Sequence, residues 1–103
     1  MSSFEIKKIN KPVILNTTKS GDSTHYLVKQ KYSINSLEVE IKHFCFAFND
    51  GSTTVTDFDN EKFQSLNSEL EQQLLSHYGD SSKAFEVYEL ISMEASNEAL
   101  SVL

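Results

Sequence analysis

The sequence predicts an α+β fold, an antiparallel β-meander of about five strands followed by two helices packed on one face. Three observations predict it. Apolar and polar residues alternate through the first 58 positions, tight-turn residues interrupt them at short intervals, and from residue 59 the apolar spacing changes to threes and fours. At 103 residues the chain has the size of one domain. No linker, repeat or low-complexity run divides it, so residues 1–103 read as a single domain, with strands over 1–58 and helices over 59–103.

The strands are expected near 4–9, 12–18, 24–34, 37–48 and 53–58. Pro12 suits a strand start or edge, where its missing N–H leaves no ladder bond unmade. Ser20-Gly21-Asp22, Asn35-Ser36 and Asp50-Gly51 are the turns. A two-residue turn at Asn35-Ser36 sets Ile34 opposite Leu37, Tyr32 opposite Val39, Val28 opposite His43 and Tyr26 opposite Cys45. The other face then pairs Lys31 with Glu40, Leu27 with Phe44 and His25 with Phe46. Apolar residues meet apolar ones and opposite charges meet, as cross-strand pairing favours, with Lys29 against Lys42 the one unfavourable pair. A slip of one residue would turn every side chain over.

A two-residue turn at Asp50-Gly51 extends this map, with Phe48 facing Thr53, Phe46 facing Val55 and Phe44 facing Asp57. Helices should cover the face carrying Leu37, Val39, Ile41 and Cys45. The opposite face gathers Leu27, Phe44, Phe46, Phe48 and Val55 beside His25, a group of large apolar side chains that needs a cover.

Asp59 stands where an N-cap would begin the first helix, with Phe58 and Phe63 at hydrophobic-staple spacing. Phe63, Leu66, Leu70, Leu74 and His77 form one stripe. Gly79 is the expected stop and Asp80 the cap of a second helix running to about 99. Ala84, Phe85, Tyr88, Ile91, Ala95 and Ala99 form that helix's main face, while Leu90, Met93 and Leu100 lie on its far side among Glu86, Glu94 and Asn97.

The net charge is −6, divided unevenly. Residues 1–48 hold seven lysines against four acids; residues 49–103 hold two lysines against eleven acids. There is no arginine, so the planar fork that grips phosphate is missing, and direct nucleic-acid binding lacks its basic footprint. No apolar run approaches the roughly 20 residues of a membrane span. No secretory signal is visible at Met1, and Asn16-Thr17-Thr18 reads as a chance glycosylation match. With a lone cysteine, Cys45, a cytoplasmic location is expected.

Candidate chemistry is thin. His43 and Cys45 share a strand face, but no carboxylate completes a metal set and no partner is positioned to lower the thiol pKa. Asp50, Asp57 and Asp59 lack the periodicity of a calcium loop and read as turn and cap residues. Three glycines leave no phosphate loop. No cofactor, metal or catalytic residue is expected. A pocket between sheet and helices lined by Tyr26, Tyr32 and Tyr88 would make the chain a small-molecule binder instead.

These features point to protein binding. Small size, acidity and an unaccounted aromatic patch resemble those of bacterial and phage inhibitors such as toxin-immunity and anti-CRISPR proteins, a likeness of composition and architecture alone. It implies an inhibitor that blocks a basic, nucleic-acid-handling target. Leu27, Phe44, Phe46, Phe48 and Val55 would anchor that target, together with Leu90 and Met93. Glu86, Glu89 and Glu94 would guide it electrostatically. The alternative is a homodimeric chaperone or assembly factor that buries the Phe patch or the Leu90–Leu100 stripe.

Overall fold

The computed structural model describes residues 4–103. Five strands form one antiparallel sheet: β1 (Ile6–Lys8), β2 (Val13–Ser20), β3 (Ser23–Ile34), β4 (Leu37–Phe48) and β5 (Thr53–Thr56). A two-stranded ribbon of β6 (Phe58–Asp59) and β7 (Gln64–Ser65) follows, then α1 (Ser68–Tyr78) and α2 (Ser81–Leu100). The predicted α+β arrangement is present, with both helices packed against the sheet. Its first two strands depart from a simple meander. β1 and β2 both pair with β3, lying end to end along one edge on either side of Pro12.

The central hairpin has the expected register throughout, from Ser23 opposite Phe48 to Ile34 opposite Leu37. Asn35 and Ser36 both take positive φ, 48° and 74°, which gives a type I′ turn whose twist matches the flanking strands. Tyr32, Ile34, Val39 and Ile41 thereby point to one side, where they meet Leu70 and Leu74 of α1 and Val87 and Ile91 of α2. Each such side chain contributes roughly 1.5–3 kcal/mol on burial. A smaller cluster of Val28, Cys45 and Ala99 continues the core toward the C-terminal end of α2.

The β4–β5 register differs from expectation by one residue. Phe48 N–H donates to Ser52 at 2.9 Å and Gly51 N–H to Phe48 at 3.0 Å, so Asn49, Asp50 and Gly51 form a three-residue loop. Only Gly51 takes positive φ there, at 90°. A turn closed by a left-handed glycine adds one residue to the connection. Val55 therefore stands opposite Cys45 and packs into the helix-covered core. It leaves the Phe face, where Thr54 and Thr56 replace it opposite Phe46 and Phe44.

The first helix also starts later than its apolar spacing suggests. Asp59 does cap backbone, accepting from Glu61 N–H at 3.0 Å and Lys62 N–H at 3.3 Å, but the turn it stabilises joins β6 to β7. Phe63 lies in that connection, with φ 53° and 84% exposure, outside any helical stripe. Helix α1 begins after Asn67, which is buried and makes no side-chain cap.

The side chain of Asn67 serves the sheet instead. Beyond β5 the edge of β4 has no strand neighbour, and buried backbone groups must be paired. Lys42 N–H donates to Asn67 Oδ1 at 2.7 Å, and Asn67 Nδ2 donates to the Lys42 carbonyl at 2.9 Å. The amide thus imitates a backbone neighbour. Its second N–H reaches Tyr88 Oη at 3.1 Å, and Tyr88 donates to Asp57 at 2.5 Å. Farther along, Gln73 Nε2 donates to the Glu38 carbonyl at 3.1 Å.

Gly79 ends α1 in the left-handed conformation, its N–H bonded to Leu75 at 2.9 Å. Asp80 accepts from Ser82 and Lys83 N–H and caps α2 as expected. An ion pair between Lys8 and Glu98 ties β1 to the end of that helix.

Candidate protein-binding surface

The sheet separates the candidate residues into two groups on opposite sides of the molecule. Leu27, Phe44, Phe46 and Phe48 share the face away from the helices. Leu27, Phe44 and Phe46 are half-buried there and Phe48 is exposed. Their cover is partly mutual. The Phe44 and Phe46 rings stand 6.4 Å apart, and His25 meets Phe46 edge-on at 4.6 Å. His25 Nε2 also lies 2.8 Å from Ser23 Oγ.

The other group lies on α2. Ala84, Val87, Tyr88, Ile91, Ala95 and Ala99 face the core. At 100° per residue, Met93 stands diametrically opposite that face with Glu86 and Glu89 beside it, while Phe85 and Leu90 occupy the flanks. Phe85 is 63% exposed and Met93 65%; Leu90, Glu86, Glu89 and Glu94 are exposed as well. Phe85, expected on the main face, is turned about 100° from Ala84, too far to reach the sheet. It borders a groove of about 190 Å³ with Leu75, Ala84, Tyr88 and Glu71.

One surface of α2 therefore holds both apolar anchors and carboxylates. The Phe face holds the remaining anchors, with Glu38 and Glu40 farther along β4, and a full sheet and helix layer lies between it and Glu86, Glu89 and Glu94. No single flat interface engages both groups. Phe63 is an exposed aromatic that sequence spacing assigned to a buried stripe; its position on the β6–β7 connection is visible only once Asn67 is seen to be committed to the sheet.

The groups considered for catalysis are enclosed. Cys45 is fully buried, and desolvation pushes its thiol up to about 11, away from the thiolate. His43 is buried beneath α2, with Nε2 3.4 Å from Ser92 Oγ. Desolvation lowers its pKa, while the Asp57 carboxylate acts more weakly in the opposite sense. Asp50 accepts from Ser52, and Asp59 from its own turn, so both carry local backbone. Among the described residues, no group of three His, Cys, Asp or Glu side chains is placed to hold a metal. Tyr32 donates to Gln30 at 2.9 Å and Tyr88 to Asp57, as core residues with satisfied hydroxyls. A polar cleft of about 480 Å³ lies between the β4 edge, the β6–β7 ribbon and the start of α1, with Glu40, Lys42, Lys62 and Gln73 in its walls.

No helix among the described residues is long and apolar enough to cross a membrane. Compared with known proteins, the chain matches no family model, no curated protein and no solved structure.

Proposed function

We propose that this chain is a non-catalytic protein-binding inhibitor whose outward α2 face docks on a basic, nucleic-acid-handling protein and blocks its working surface. The supporting observation is the exposure of Phe85 and Met93, 63% and 65%, with Glu86 and Glu89 beside Met93 on the outward face and Glu94 on the flank away from Phe85. Phe85 and Met93 stand about 12 Å apart along the helix. Large apolar side chains at this exposure supply the desolvation that carries most interface affinity, and carboxylates around them accelerate encounter with a cationic surface. The acidic excess of residues 49–103 extends the same field. A reducing cytoplasm suits the single buried thiol.

The Phe face is the second surface, favoured by Phe48, which the chain's own strands leave exposed. Affinity purification with the full chain as bait, followed by titration against the captured target, separates the two. Phe85→Ala with Met93→Ala should weaken binding at least about tenfold, while Phe46→Ala changes it less than about threefold. Affinity should also fall as salt rises. A loss confined to Phe46→Ala would transfer the interface to the sheet, and salt-independent binding would remove the electrostatic part of the reading.

A further inference from the structure

The proposed inhibitor surface lies on α2; the free sheet edge at β2 carries an independent conclusion. All eight residues of β2 are exposed, including the consecutive apolar side chains Val13, Ile14 and Leu15. Among the described residues, no helix packs over this edge. Its backbone polarity follows from the register. Ser20 and Ser23 flank the two residues Gly21 and Asp22, with positive φ at Gly21, so they close the hairpin as a hydrogen-bonded pair. Hydrogen-bonded pairs then alternate through Thr18–His25 and Asn16–Leu27. Thr17 and Lys19 consequently turn their N–H and C=O groups outward, where only another extended backbone can match them in spacing.

We infer that β2 pairs antiparallel with β2 of a second copy of this chain, centred on Thr17. In that register Ile14 to Ser20 of one copy meets Ser20 to Ile14 of the other. Lys19, the one charged side chain in the strand, stands opposite Leu15 and meets no like charge. A two-fold axis perpendicular to the sheet puts both helical layers on the same side, and the exposed faces of β2 leave nothing to clash. Two sheets become one, and the two Phe faces become continuous. The edge has only Lys19 and a bulge at Leu15 to discourage pairing. Strand pairing alone covers on the order of several hundred Å², below the roughly 1,200 Å² of stable complexes, so the dimer is weak and concentration-dependent.

Sedimentation equilibrium of the full chain, from low micromolar to near-millimolar concentration, tests this. The mean mass should rise from one chain toward two. Thr17→Pro removes an outward N–H without touching a β3 bond, and should stay at one chain throughout. The Phe85→Ala, Met93→Ala variant should associate like the parent, so failure here and failure of the α2 reading are distinguishable. Amide exchange supplies a measurement that does not depend on a variant folding: at high concentration the Thr17 amide should slow about tenfold, with Thr18 unchanged. A parent that remains a single chain, a Thr17→Pro variant that still associates, or an unslowed Thr17 amide would each overturn the inference. So would a chain that captures foreign strands at this edge without ever pairing with itself.

Discussion

The two edges of the sheet solve the same problem in opposite ways. At the β4 edge, where the chain runs out of strand, Asn67 and Gln73 reach in from the start and middle of α1 and bond the Lys42 and Glu38 backbones. At the β2 edge no side chain or helix of the described residues arrives, and every residue of the strand remains exposed. The difference follows burial. Lys42 is half-buried where helix and ribbon meet, and an unpaired amide there costs more than one in open solvent. Thr17 and Lys19 face open solvent, where water satisfies them until a strand replaces it.

This contrast sets a graded series of outcomes. Asn67→Ala leaves Lys42 N–H, its carbonyl and part of the Tyr88 network without their partner at a half-buried site. It should cost about 3 kcal/mol, read as a shift in the urea midpoint; a loss below about 1 kcal/mol would mean water closes that edge as well as the amide does.

Acid should act next, through the covered side. Burial favours neutral His43 in the folded chain, so its contribution is complete above the ordinary value of about 6.5 and is lost as pH falls through the lowered folded value. Urea midpoints followed from about pH 7.5 to about pH 5 should decline, and His43→Leu should flatten that decline. An equal slope in the variant would assign it to other groups.

Gln73→Ala removes a bond from the exposed part of the closed edge and should cost about 0.5–1 kcal/mol by thermal melting. At the open edge, Thr17→Pro should change monomer stability by less than about 0.5 kcal/mol while abolishing self-association. A larger loss would show that β2 supports the core after all.

Much of the architecture is legible in the residues. The Asn35-Ser36 turn and the strict alternation of β3 and β4 determine their whole register, because a slip would expose Tyr32 and Ile41. Gly79 and Asp80 mark the helix boundary for reasons local to the backbone. Two features resist local reading. Asp-Gly at 50–51 is compatible with both two- and three-residue loops, and the choice decides which face Val55 occupies. The Phe63–Leu66–Leu70 spacing is helical, yet α1 starts at Ser68 because Asn67 answers a need of β4, a distant strand. For the binding surface, the far stripe of Leu90 and Met93 is legible as helical periodicity. Phe85 departs from its expected place because Ala84 beside it fills the position on the core face.

Asn67 ends the loop, borders α1, and neighbours Lys42 at the same time. Helix and sheet therefore share a hinge pin that neither can release alone: melting the first turn of α1 withdraws the amide from β4, and parting β4 unseats the residue from which α1 starts. The two layers should consequently denature in one step, with no partly folded species accumulating between them.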